Sequence, residues 1–135
     1  MTAPLLAACA ALLLRASALT PGVCTCVAPR SEAEAVRRSS IVFEGRPTAQ
    51  RQVLRDGYPA RVYTFTATRW RKGKPRRTVE VETGMGGGDC GTDFPHGRTY
   101  TVYAHRIDAG RLRTDICSGP LPHPAPPPAL PSRNR

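Results

Sequence analysis

Cys24-Thr25-Cys26 decides how this chain is read. A single residue between two cysteines closes a ring too tight for ordinary disulfide geometry, so the two do not readily pair with each other. Each must reach a distant partner, and downstream the only cysteines are Cys90 and Cys117. The start of the domain is therefore stapled to two remote places, in one of two pairings.

Upstream, residues 3–14 form an apolar run of twelve. That is shorter than the roughly 20 residues a spanning helix needs and suits the apolar region of an export signal. Ala16-Ser17-Ala18 adds a small-x-small cleavage pattern. Residues 1–18 are read as a signal peptide, with cleavage able to extend to residue 23. The positive charge usual before the apolar run is absent, and Arg15 falls after it. Leu6-Ala7-Ala8-Cys9 resembles a bacterial lipobox, so a lipoprotein anchored through Cys9 is the alternative. Both routes predict a secreted or periplasmic protein with no transmembrane segment in the mature chain.

Without the leader about 110 residues and four cysteines remain, one small domain in an oxidising compartment. Aromatic residues make up only 6% of the chain, so its core is thin and the staples matter. The leader takes one arginine with it, leaving nineteen basic against ten acidic residues, a net charge of +9. That balance favours anionic partners over neutral ones. Only Lys72 and Lys74 are lysines.

The elements follow from local pattern. Ser31 to Arg38 begins with a capping residue, has acids in its first turn and bases in its last, and reads as a short helix. Ser40–Gly45 reads as a strand. Arg61–Thr68 and Thr78–Thr83 alternate and are rich in β-branched and aromatic residues. The basic stretch Arg69 to Arg77 joins them as a hairpin loop. Thr99–Ala104 and Gly110–Ile116 supply two more strands around the turn Ile107-Asp108-Ala109-Gly110. Five short strands with one or two flanking helices predict a mainly β, disulfide-stapled fold. The leading candidate is a five-stranded barrel of the OB type. From Pro120 to Arg135 the composition turns to proline and alanine without apolar periodicity, which predicts a disordered or polyproline tail.

The ordered set Cys24-Thr25-Cys26-Val27-Ala28-Pro29, Val42-Phe43-Glu44-Gly45, Tyr63-Thr64-Phe65, Trp70-Arg71-Lys72-Gly73, Thr83-Gly84, Cys90-Gly91, Phe94, Gly97-Arg98-Thr99-Tyr100, Val102-Tyr103-Ala104 and Cys117-Ser118-Gly119 resembles the netrin-like domain. It is most similar to the N-terminal, inhibitory domain of the tissue inhibitors of metalloproteinases and to their bacterial relatives. The resemblance spans residues 24–119. It implies an OB barrel with Cys24 bridged to Cys90 and Cys26 to Cys117. The third bridge of the animal inhibitor domain has no partners here, and a proline tail stands where a C-terminal inhibitor domain would begin.

What the resemblance implies about function is specific. In those inhibitors the first cysteine is the mature N-terminus, and its α-amino nitrogen and carbonyl oxygen chelate the zinc of an extracellular metalloprotease at the site of the hydrolytic water. Carried over, Cys24 chelates, Thr25 enters the pocket beside the zinc, Cys26 staples, and Val27, Ala28 and Pro29 extend the contact. The chain has no metal site of its own in this reading, only a partner's zinc. Chelation requires a chain that begins at Cys24. Cleavage after Ala18 leaves five residues ahead of it, and the resulting amide nitrogen has no available lone pair.

The alternative is a non-inhibitory module that binds a polyanion or the extracellular matrix. Arg69, Arg71, Lys72, Lys74, Arg76 and Arg77 place six positive charges in nine residues around Trp70. The resemblance adds that netrin-like domains outside the inhibitors often bind acidic glycans. Basic OB barrels also bind single-stranded nucleic acid, but export makes nucleic acid an unexpected partner. The bland reading of the same stretch is a solvated turn.

No enzyme is expected and no cofactor. Gly84-Met85-Gly86-Gly87-Gly88 follows a strand, but neither Gly-Lys-Ser/Thr nor a long helix succeeds it, so it reads as a flexible loop before Cys90. Asp89 and Asp93 lack a spaced third ligand and read as surface-turn residues. His96, His105 and His123 show no metal spacing, and no nucleophile has an assignable base.

Overall fold

A computed structural model describes residues 23–120. The expected signal peptide, the lipobox at Cys9, His123 and all of the proline-rich tail beyond Pro120 lie outside the described residues. The helix α1 runs Glu32–Arg38, capped by Ser31, whose side chain accepts from the Glu34 amide. Five strands follow, β1 (Ile41–Arg55), β2 (Tyr58–Lys72), β3 (Thr78–Thr83), β4 (Tyr100–Arg106) and β5 (Leu112–Arg113). They close on themselves in the order β1-β2-β3-β5-β4, and β4 returns to β1. All pairings are antiparallel except β3–β5, a parallel contact at Glu82 and Arg113.

Period-2 alternation explains the inside of this ring. Phe43, Tyr63, Phe65, Val79, Val81, Val102 and Leu112 point inward and are buried. The aromatic rings pack edge to face, Phe43 with Phe65 at 5.6 Å and Phe65 with Phe94 at 5.0 Å, the arrangement their quadrupoles favour. Phe94 comes from the loop before β4 and also meets Tyr63 and Tyr100 at 5.2 Å each, so the loop is plugged into the core at that point. A second, smaller cluster of Ala35, Val42 and Tyr103 seats α1 on the outside of the ring.

Two strands are longer than their sequence pattern predicts. β1 and β2 are 15 residues each and form one antiparallel ribbon from Val42 opposite Lys72 to Arg55 opposite Tyr58. Arg46 to Gln52 has no apolar alternation; the residues opposite it in β2 decide its conformation. Asp56 and Gly57 close the ribbon with φ of 51° and 83°, the paired left-handed geometry of a type I′ turn. Pro47 sits next to one of three register shifts in β1, where a strand tolerates a residue with no amide hydrogen. The same extension corrects the expected basic loop, because Arg69 to Lys72 belong to β2 and only Gly73 to Arg77 make the turn. At the other end, the expected strand Gly110–Ile116 shrinks to Leu112–Arg113.

Candidate functional site

The cysteine triplet, which belongs to no helix or strand, is tied to the ring at two points. Cys24 is bridged to Cys90 and Cys26 to Cys117, with Cα–Cα separations of 5.1 and 6.1 Å. The two anchors are neighbours, since the Ile116 amide donates to the Cys90 carbonyl at 3.0 Å. Residues 24–30 are also held to α1. Arg38 Nη1 donates to the Val27 carbonyl at 3.1 Å, and the Arg30 amide donates to Glu34 Oε2 at 2.7 Å. The Arg30 amide is the leading reason that the Glu34 carboxyl lies below its ordinary range.

This tethering leaves a ridge of chosen side chains in solvent. Thr25, Cys26 and Val27 are exposed, Val27 at 79%. Cys24 and Ala28 are half-buried and Pro29 is buried. The exposed part of the expected contact run thus ends at Val27.

The loop that carries Cys90 is built just as tightly. Asp89 reaches back to accept from the amides of Met85 at 2.6 Å, Gly86 at 2.9 Å and Gly91 at 3.0 Å. Burial pushes the Asp89 carboxyl up, but the amides of Gly91, Met85 and Gly86 outweigh it and the net shift is downward. Gly84 and Gly91 pack backbone to backbone, and a Cβ on Gly91 would meet the Gly84 carbonyl carbon at 2.3 Å. From the ring side, buried Arg61 donates to the carbonyls of Gly84 at 3.3 Å and Met85 at 2.9 Å, to Tyr63 Oη at 3.3 Å and to the Asp93 carboxylate. Burial is the main cause raising the Tyr63 phenol above its ordinary pKa. The glycine run, expected as a flexible loop, is therefore a folded turn in which the amides of Met85 and Gly86 are committed to Asp89. Asp93, expected in a plain surface turn, is the counter-charge of Arg61. Sequence reasoning missed Arg61 because its role depends on a loop more than 20 residues away.

The six cations around Trp70 do not form one free patch. Lys72 Nζ donates to the carbonyls of Val36 at 2.8 Å, Arg37 at 3.3 Å and Ser39 at 2.5 Å, closing the C-terminal end of α1. Arg71 pairs with Glu32 and Arg69 lies 3.7 Å from Glu44. Trp70 packs on Phe43 at 5.4 Å and donates its indole N–H to the Arg76 carbonyl at 3.0 Å. Lys74, Arg76 and Arg77 remain exposed in the turn.

Among the described residues, the potential metal ligands that converge are the sulfurs of Cys24, Cys26 and Cys117, within 4.8 Å of one another. All three are oxidised into disulfides and offer no thiolate. His96 is exposed and His105 half-buried, on different segments. The two disulfides fit an oxidising extracellular or periplasmic milieu. Among the described residues no helix is long and apolar enough to cross a membrane. Compared with known proteins, the chain matches no family model and no curated relative.

Proposed function

We propose that this chain is a secreted, non-enzymatic module of the netrin-like type, built on an OB barrel, and that its cysteine ridge blocks a zinc metalloendopeptidase. The observation that carries this reading is the double tether: two adjacent disulfides pin Cys24 and Cys26 while Thr25 and Val27 stay in solvent. The strand order β1-β2-β3-β5-β4 with a parallel β3–β5 contact supports the barrel type.

The mechanism follows from elementary coordination chemistry. Catalytic zinc keeps one position for water, and a free α-amine with the carbonyl oxygen of the same residue fills it as a five-membered chelate. A terminus already ordered by cross-links loses little freedom on binding. Thr25 next to the chelate is short and polar enough to enter the pocket flanking the metal, and Val27 adds apolar contact. Chelation needs cleavage between Val23 and Cys24. The polyanion reading centred on Trp70 is weaker, because Arg69, Arg71 and Lys72 are engaged within the fold.

The test compares two disulfide-intact forms, one beginning at Cys24 and one at Leu19, against a panel of zinc endopeptidases with a fluorogenic peptide substrate. Inhibition by the Cys24 form alone is expected. Equal potency of both forms would refute chelation, and inactivity of both would refute the inhibitor reading.

A further inference from the structure

The two bridges lie close enough together to carry a second chemistry. Cys24 Sγ is 3.7 Å from Cys26 Sγ, and with Cys117 Sγ the three sulfurs fall within 4.8 Å of one another. They belong to different disulfides, and Cys90 Sγ, bonded to Cys24, is the fourth sulfur of the group. Four thiolates about 2.3 Å from a tetrahedral zinc ion lie about 3.8 Å from one another. Cys24 and Cys26 already have nearly that spacing.

The cysteines are positioned by more than their bridges. The Ile116 amide donates to the Cys90 carbonyl at 3.0 Å, and the Cys117 amide donates to Asp115 Oδ1 at 2.8 Å. Asp89 gathers the amides of Gly86 and Gly91 on either side of Cys90, and Arg38 holds the Val27 carbonyl next to Cys26. None of these contacts involves sulfur, so opening the bridges does not break them. An ion also has a way in. Cys26 is exposed, and a pocket of about 250 Å3 lined by Cys26, Cys117, Arg38, His105 and Asp115 opens beside the second bridge. Four thiolates around one Zn2+ make a negative cluster, which the Arg38 guanidinium beside it and the net charge of +10 on the chain favour.

We propose that, once both bridges are reduced, Cys24, Cys26, Cys90 and Cys117 bind one zinc ion that takes over from the two staples. Each bridge accepts two electrons and two protons from a dithiol, which is oxidised to a cyclic disulfide, and Zn2+ then displaces the four thiol protons. In the reverse direction a disulfide oxidant takes up the four electrons, both bridges re-form and the ion leaves unchanged. The N-terminal segment thus stays pinned in both redox states, by sulfur–sulfur bonds in one and by zinc–sulfur bonds in the other. The site uses sulfur alone, so it is separate from the α-amine chelate and does not depend on the inhibitor reading.

The test uses the form beginning at Leu19, whose only cysteines are these four. It is reduced with a phosphine in the absence of oxygen, so that no added thiol competes for metal, and titrated with Co2+ as a spectroscopic stand-in for zinc. Expected are the visible bands and the sulfur-to-metal charge-transfer bands of a tetrahedral tetrathiolate, saturating at one ion per chain and erased by Zn2+. Cys24→Ser, Cys26→Ser, Cys90→Ser and Cys117→Ser are each expected to weaken Co2+ binding about tenfold or more. Binding in buffer is expected to be about tenfold or more tighter than in concentrated denaturant, because the fold brings the ligands together in advance. Zn2+ should raise the melting temperature of the reduced protein and leave that of the disulfide-intact protein unchanged. If the reduced, metal-free chain is unfolded, Zn2+ is expected to restore the native Trp70 fluorescence. Octahedral Co2+ spectra, full affinity in any of the four variants, equal affinity in denaturant, or a reduced chain that zinc neither stabilises nor refolds would each overturn the proposal.

Discussion

The loop that carries Cys90 and the tip of the β1–β2 ribbon stand on opposite sides of one cavity, yet they are held by different physics. Arg55, Asp56 and Tyr58 of the tip face Gly84, Met85 and Asp89 of the Cys90 loop across about 440 Å3. The loop side is fixed by a covalent bridge, a buried arginine and an acid that gathers three amides. The tip has its ladder, its two-residue turn and a single ion pair from Arg55 to Glu82, and it exposes Leu54 at 70% and Tyr58 at 76%. A surface meant to keep one shape in solution has long-range constraints. A surface held mainly by local constraints opens at lower cost.

The largest effect expected is from the staples. Cys24–Cys90 and Cys26–Cys117 span 66 and 91 residues, and in the loop-entropy account each contributes about 4 kcal/mol. Denaturant titration of C24S/C90S should show that loss, and a loss no larger than that of a tip substitution would break the comparison.

Arg61→Met comes next. It leaves the Gly84 and Met85 carbonyls without their donor and Asp93 without its counter-charge, at a cost of about 3 kcal/mol. Hydrogen exchange should speed up across residues 84–93 first, and uniform acceleration over the whole ring would show that Arg61 serves the core instead. Gly91→Ala forces a methyl against the Gly84 backbone, for which overpacking costs about 2 kcal/mol. Gly57→Ala has open space around it and suffers only from φ of 83°, about 1 kcal/mol. Thermal melts of these two variants, run side by side, sharpen the contrast between a crowded loop and an open turn.

Acid gives the smallest and most local effect. The Asp89 carboxyl titrates below its ordinary value, so its stabilisation is complete above the unfolded-state value of about 3.9 and fades as pH falls through the lower folded value. Amide exchange at Met85, Gly86 and Gly91, corrected for its intrinsic pH dependence, should lose protection below about pH 4 while the tip is unaffected. Unchanged protection at those amides would remove Asp89 from the account.

Local pattern was enough for some of this. The alternation of Tyr63, Phe65, Val79, Val81 and Val102 marked the core, the Ser31 cap and its charge order marked α1, and the triplet marked the staples. The pairing of Cys24 with Cys90 came from a resemblance, since spacing alone allows either pairing. The Asp56-Gly57 dipeptide, a strong hairpin signal, was the one local clue to the long ribbon. The polar extension of its first strand, Arg46 to Gln52, has no apolar face to announce it.

By itself, the sequence determined which segments had strand or helix periodicity and that the N-terminal edge must be stapled, because side-chain period and ring size in Cys-Thr-Cys are local properties. Only the tertiary structure decided which charges are spent and which are free. Lys72 closes α1, Arg61 clamps a loop, and Glu82 gathers three arginines, each through partners roughly 20 to 35 residues away. An arginine reads the same in the sequence whether it faces a carboxylate, a carbonyl or water, and only folding brings its partner to it.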